Sequence, residues 1–247
     1  IIVHINEGTD GTLEWVKNEG IKYTHTSENS GVCIAMNKMA KLAESPYILY
    51  LNDDMYVLPK WDSYLKEEIM NLPDDMFYLS STSIEAKPQS NCMIQGDFGV
   101  SVANFDEEKL LTEYHKLDFH NWNGSTWPPC VVSKRLWNKV GGYSEEFSPG
   151  MYSDPDFSMK LWQVGVRHFK GLSYSRVYHF GSKSVGRVKK NNGRKQFIKK
   201  WKMSPSTFTK YYIRRGEIFK ETLSDEVIPL HLQLRNILLH KLNSRIN

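Results

Sequence analysis

The sequence predicts an α/β fold, a mostly parallel central sheet flanked by helices, followed by a helical C-terminal tail. Three observations carry this. Short strand-like and helix-like runs alternate from the first residue, a strand–helix–strand–helix–strand order with short loops, which is the pattern of parallel βαβ units. The run "VCIAMNKMAKLAE" has helical spacing, with Val32, Ala35, Met36, Met39, Ala40 and Ala43 on one face. Beyond Gly186 the chain reads as helical and basic, then as amphipathic from Ser224 onward.

Taken in order, "IIVHI" is a short buried strand and "NEGTDGT" a turn rich in N-cap residues. "LEWVKNEG" is a helix stopped by Gly20, "IKYTHT" a second strand, and "YILYL" a third, after Pro46 ends the intervening helix. A helix is expected over 61–71, a strand at "MFYLSSTSI", and a helix over 106–117 within an irregular, aromatic stretch, 83–128. "CVVS" reads as a strand, "KRLWNKVGGY" as a helix stopped by a glycine pair, and "PDFSMKLWQVG" as a helix with Gly165 as its stop. "VRHFK" and "SRVYHF" read as two short strands.

The 247 residues are 40% hydrophobic and 24% charged, enough for one large domain or one domain with a tail. The expected division is an α/β domain over 1–186 and a basic, then amphipathic, helical extension over 187–247. No apolar stretch approaches the ~18–20 residues of a membrane span, and the N-terminus lacks a signal-peptide pattern. Cys33, Cys92 and Cys130 are odd in number and far apart, which argues against a disulfide framework and favours core thiols in a reducing, cytoplasmic compartment. The net charge of +4 is concentrated: from Arg187 to Arg215 no acid interrupts a series of lysines and arginines. Such a run suits nucleic acid, anionic lipid or a phosphorylated ligand, and equally a solvated helix face. No nucleic-acid motif accompanies it, so nucleic acid ranks last.

Three places hold residues of chemical interest. "ILYLNDDMYVLPKW" ends a strand in Asn52-Asp53-Asp54. Carboxylates at a strand's carboxyl end suit a hard divalent cation, but an Asx-type turn needs the same residues. In "GMYSDPDFSMKLW", Asp154 fits an N-cap with Pro155 as the first helical residue, or a positioned general base. His179 closes a strand ahead of a Gly-Ser loop, and a lone histidine is usually structural unless other ligands converge on it.

Set in order, these residues resemble the GT-A (Rossmann-like) glycosyltransferases, specifically glycosyltransferase family 2. "IIVHINEGTDGT" is similar to that family's second strand and turn, and "ENSGVCIAMNKMAKLAESPYILYLNDD" to its N-x-G-x-x-x-A-x-N helix and D-x-D strand. "KVGGYSEEF", "SDPDFSMKLW" and "VYHFGSKS" resemble the motifs that follow. The likeness covers roughly 1–186, and five motifs in order are specific where each alone is weak.

The resemblance implies a metal-dependent, inverting enzyme that moves a single sugar from a nucleotide-diphosphate-sugar to a hydroxyl of a glycan, lipid-linked or other acceptor. It implies Mn²⁺ or Mg²⁺ held by Asp54 and His179, donor contacts from Asn6, Asn52 and Asp53, and Asp154 as general base. Ser153 and Met36 stand where the family usually has Glu and Arg, and the family's opening strand is missing before Ile1, so the chain reads as N-terminally incomplete. These departures sustain an alternative, a catalytically inactive sugar-nucleotide-fold binding module. "QFIKKW" lacks the spacing of the processive synthases' Q-x-x-R-W motif, so a non-processive enzyme is expected. Trp122 and Trp127 are candidates to stack on a sugar, with packing under a loop as the alternative. The basic stretch 187–215 is a candidate to border the donor diphosphate, to contact an anionic or lipid-phosphate acceptor, or equally to make peripheral membrane contact.

Overall fold

The computed structural model describes residues 1–181, 191–225 and 228–245. The domain boundary expected at 186/187 lies outside the described residues.

The chain opens with β1 (Ile2–Asn6), α1 (Thr12–Asn18) and β2 (Lys22–Thr26), and the two strands pair in parallel as the expected βαβ unit. They form a two-stranded sheet of their own. After α2 (Gly31–Leu42) come β3 (Tyr47–Tyr50), β4 (Met55–Val57), α3 (Trp61–Asn71) and β5 (Phe77–Glu85). β6 (Met93–Gln95), α4 (Glu107–Glu113), β7 (Trp122–Asn123), β8 (Cys130–Ser133), α5 (Lys134–Val140), α6 (Ser153–Gln163) and β9 (His168–His179) complete the sheet region.

The central sheet runs β3–β8–β5–β9–β4, with β6 against β5 and β7 against β9. Its middle pair, β5 and β9, is parallel, and so is β5–β6. The flanking strands β3, β8, β4 and β7 pair antiparallel. The α/β class with a helix-flanked sheet therefore holds, while strand by strand the sheet is mixed. β8, which reaches the sheet from the irregular stretch after β7, runs antiparallel to both β3 and β5 and breaks the parallel order.

Every residue of β5 is buried, and its sides alternate with the strand period. Phe77 and Leu79 pack with Leu65 of α3, Val131 and Leu172. Tyr78 packs on the other face with Phe157 of α6 and Phe169. The hydroxyls in its middle are satisfied: Ser81 Oγ meets Ser175 Oγ at 2.7 Å, and Thr82 Oγ1 donates to the Leu172 carbonyl at 2.8 Å. A buried strand can therefore carry serines at little cost.

Two expectations need correction. "VRHFK" and "SRVYHF" belong to one strand, β9. The polar "GLSYS" between them looks like a loop, but it is a bulge within the strand: the register against β5 slips between Ser81 and Thr82. The tail is also less helical than expected. After α7 (Gly193–Trp201), the short turn α8 (Pro205–Thr207) and a π-helical turn, the chain extends. Ile218 bridges Trp122, and Asn123 N–H donates to the Glu217 carbonyl at 2.8 Å. The unpaired edge of β7 draws this arm out of the helical state, and only α9 (Leu230–Arg245) is a long helix. Among the described residues no helix is long and apolar enough to cross a membrane.

Candidate active site

The carboxyl ends of β3, β5 and β9 meet at one edge of the sheet, where open α/β sheets gather ligands. Asn52-Asp53-Asp54 forms the turn between β3 and β4. β4 pairs with β9 so that Met55 sits opposite His179, which brings Asp54 to the histidine. Asp54 Oδ2 lies 3.3 Å from His179 Nε2, and Glu85 Oε1 holds His179 Nδ1 at 2.6 Å. Burial alone would lower the His179 pKa, but its hydrogen bonds and charge pairing with Asp54 and Glu85 outweigh this and raise it to about 9.

Asp54 Oδ1 is buried without a hydrogen-bond partner, and His179 Nε2 faces Asp54 Oδ2 alone. A divalent cation that displaced the Nε2 proton would meet an oxygen and a nitrogen ligand at one point. Glu85 fixes the imidazole's orientation and tautomer from behind, as carboxylates do for metal-ligating histidines. Among the described residues no group of three His, Cys, Asp or Glu could hold a metal ion; Asp54 and His179 could contribute two ligands.

Asp154 sits on the same side. Tyr50, on β3, has its hydroxyl pKa pushed well up, by burial first and then by the charges of Asp154, Cys130, Asp54 and Asp53. The charges of all three carboxylates thus act on one tyrosine hydroxyl. The expected capping geometry is not found: α6 starts at Ser153 with Tyr152 as its N-cap, and Asp154 lies inside the first turn. Tyr152 has a φ of 67°, a left-handed conformation uncommon for a bulky residue and frequent at functional sites. Burial raises the Asp154 pKa to about 7, against opposing effects of the Tyr143 hydroxyl and Arg215.

The two acids of "SDPD" have separate duties. Asp156 is 1% exposed and fully used: Trp201 Nε1 donates to Oδ1 at 2.8 Å, Lys200 Nζ stands 2.9 Å away, and Ser144 Oγ donates to Oδ2 at 2.6 Å. Asp154 accepts one weak bond, from the Tyr143 hydroxyl at 3.3 Å.

The sequence motifs converge as contacts. Asn37, the last residue of the α2 motif, binds both backbone groups of Tyr143. A Cβ on Gly142 would come within 2.4 Å of Asn37 Oδ1, so the glycine pair before Tyr143 permits this clamp. A Cβ on Gly31 would meet Pro149 Cα at 2.4 Å, which fixes the start of α2 against the loop leading to α6.

Asn6 lies apart at the end of β1, its Oδ1 accepting from the Ser30 N–H at 3.0 Å and the Thr26 hydroxyl at 3.3 Å. Asn52 is partly buried and Asp53 exposed. Met36 belongs to the main core, an apolar setting that suits no arginine. Trp122 is a correction as a sugar platform: it is 2% exposed, packs over Gly171 and donates from Nε1 to Thr82 at 2.9 Å. Trp127 carries the Arg215 guanidinium 4.2 Å above its ring. Beside the site a cleft of about 1030 Å³ opens between residues 88–95 and 214–224, lined by Gln89, Asn91, Gln95, Asn123, Glu217 and Ile218 among others.

Sequence reasoning missed Glu85 and Arg215. Glu85 had one signal, a lone acid ending the uncharged run from Met76 to Ile84. Arg215 is one of many basic residues in its segment, and only the path of the extended arm sets it near Asp154.

A profile described as glycosyl transferase family 2 matches residues 1–125, half of the chain. Among solved structures, S. aureus TarS 1–349 in complex with UDP-GlcNAc is 18% identical over 74% of this chain and 52% of that one, with a TM-score of 0.50. S. aureus TarS in a second structure is 15% identical over 82% of this chain and 33% of that one, also at 0.50. The chain thus spans about half or less of the length of these structures. At such identities the likeness shows the fold, which is the GT-A, Rossmann-like α/β fold. No curated protein matches the chain. With the profile covering half its length, the chain belongs to glycosyltransferase family 2.

Proposed function

We propose that this protein transfers a single sugar from a nucleotide-diphosphate-sugar to an acceptor hydroxyl, with inversion at the anomeric carbon. The observation that best supports the reading is the Asp54–His179 pair at the carboxyl ends of β3 and β9, with Asp154 near enough for its charge to act on Tyr50, the last residue of β3. The UDP-GlcNAc bound by the TarS structure supports a nucleotide-sugar as the donor class.

Asp154 acts as the base. The acceptor oxygen forms its bond to the anomeric carbon as the bond from that carbon to the diphosphate oxygen breaks. The electron pair leaves with the diphosphate, and the acceptor's proton passes to the Asp154 carboxylate. A pKa of about 7 places this base near working pH, where proton transfer is most effective. Asp54 and His179 would hold a Mn²⁺ or Mg²⁺ ion, which when bound supplies positive charge against the departing diphosphate. Glu85 positions His179. Asn6 faces the nucleotide base, Asn52 the donor ribose, and Asp53 the outer shell of the metal.

The acceptor, a glycan, lipid-linked or other hydroxyl compound, enters through the cleft beside Arg215. The amide and carboxylate lining there suits a hydroxyl-rich molecule. The buried, unpaired thiols Cys33, Cys92 and Cys130 support a cytoplasmic, reducing setting.

Nucleotide release from UDP-, GDP- and dTDP-sugars with Mn²⁺ tests the proposal. Metal-dependent release that Asp154→Asn abolishes, with donor binding kept, is the expected outcome. Binding of a donor without release by the wild-type protein favours the inactive binding module.

A further inference from the structure

α9 packs on the protein through Leu232 and Asn236. Asn236 is 4% exposed, and its Oδ1 accepts from the Ser204 N–H at 3.1 Å and the Thr207 hydroxyl at 3.2 Å. Leu232 is buried beside it. Facing solvent are Leu230, Leu234, Ile237, Leu238 and Leu242, between 50% and 69% exposed. At about 100° per residue these five share one stripe along the helix. A surface helix of a globular protein normally turns such a stripe to the core, and contiguous exposed apolar patches mark interaction sites.

Charge identifies the occupant. From Leu230 to the C-terminus the sequence holds Arg235, Lys241, Arg245 and two histidines, and no acid. Arg235 and Lys241 are exposed. α7, which packs against α9, adds the exposed cations Arg194 and Lys199. A second copy of the chain is a poor partner, because a two-fold pairing of this face sets each cation against its own kind with no acid between. A face of exposed leucine and isoleucine that carries Lys241 among them, Arg235 at its border and no acid is complementary to a surface that is apolar beneath and anionic on top.

We propose that α9 docks the protein on an anionic lipid bilayer, lying in the plane of the interface. The five leucine and isoleucine side chains enter the boundary between headgroups and acyl chains, and Arg235 and Lys241 meet the lipid phosphates. The membrane contact open to the basic region thus has its apolar anchor in α9. This docking is separate from the transfer reaction and stands or falls without it.

Co-sedimentation of the full chain with vesicles tests it. Vesicles of phosphatidylcholine with one-third phosphatidylglycerol should bind the protein about tenfold or more tightly than phosphatidylcholine alone, and high salt should weaken the binding. Leu234→Glu combined with Leu238→Glu should abolish binding with an unchanged melting curve, since both positions are exposed. Arg235→Glu combined with Lys241→Glu should erase the preference for phosphatidylglycerol while leaving the fold intact. Absence of vesicle binding, or binding that survives both double variants, overturns the proposal. So does a dimer in sedimentation equilibrium that the leucine variants dissociate, because the face is then an interface between copies.

Discussion

The amide of Asn37 closes on the backbone of Tyr143, 106 residues away in the chain: Nδ2 donates to the carbonyl at 2.8 Å and Oδ1 accepts from the N–H at 2.9 Å. Tyr143 is buried, so both backbone groups depend on this partner. Its hydroxyl donates to Asp154, which links the α2 motif to the proposed base. Asn37→Ala should cost about 2–3 kcal/mol of unfolding free energy in urea, the penalty of stranded buried groups. Turnover should fall more than donor affinity, because the loss reaches Asp154 rather than the donor.

Asp154 predicts two pH effects. As a base it works deprotonated, so turnover should rise with pH through about 7 and then level off. Its effect on stability has the opposite sense. Between the ordinary aspartate pKa of about 3.9 and its folded value of about 7, the folded chain holds a proton that the unfolded chain has lost. Its contribution to stability therefore declines as pH rises across that window. Asp154→Asn should flatten this slope and raise the melting temperature at alkaline pH. It should also cut transfer by about 10²–10⁴-fold with donor binding retained. A pH–rate profile and melts across the same pH range check both.

Asp156 should behave as a structural residue. Removing its charge leaves Lys200, which pairs with it at 2.9 Å, with Glu146 at 3.0 Å as its remaining acid, and weakens the Trp201 and Ser144 contacts. Asp156→Asn should destabilise the protein by about 3 kcal/mol, read from chemical denaturation, while the folded fraction keeps turnover within severalfold. A loss of turnover as large as that of Asp154→Asn would reverse the two assignments.

Glu85 should matter through His179. Glu85→Ala frees the imidazole held at 2.6 Å and should weaken Mn²⁺ binding in the presence of UDP about 10–100-fold. Glu85→Gln keeps an acceptor for Nδ1 and should retain most of the affinity. Electron paramagnetic resonance of free Mn²⁺ gives both values.

Much of the fold was legible because its signals are local. The helix over 61–71 appears with those bounds, and the βαβ opening follows from period and turn chemistry alone. The proximity of Asp54 and His179 was legible only through motif order, since 125 residues separate them in the chain. What escaped was set by tertiary partners. β9 looks broken because its bulge residues are polar, and they are paid for by Ser81, Thr82 and Trp122 on neighbouring strands. The arm at 213–219 looks helical by composition, but the edge of β7 offers it backbone partners. Glu85 carries no local mark of its bond to His179. The extension is expected to be amphipathic, but α9 carries apolar residues on both its buried and its exposed sides, and the Asn236 contacts decide which side faces the protein.

The most direct test of the proposed transfer chemistry is nucleotide release from the sugar-nucleotide panel, with and without Mn²⁺, by the wild-type chain and by Asp54→Ala and Asp154→Asn. Release should require the metal. Asp54→Ala should lose metal-dependent donor binding and release together, whereas Asp154→Asn should lose release alone. Release that is independent of metal, or that persists undiminished in either variant, contradicts the assignment of these residues.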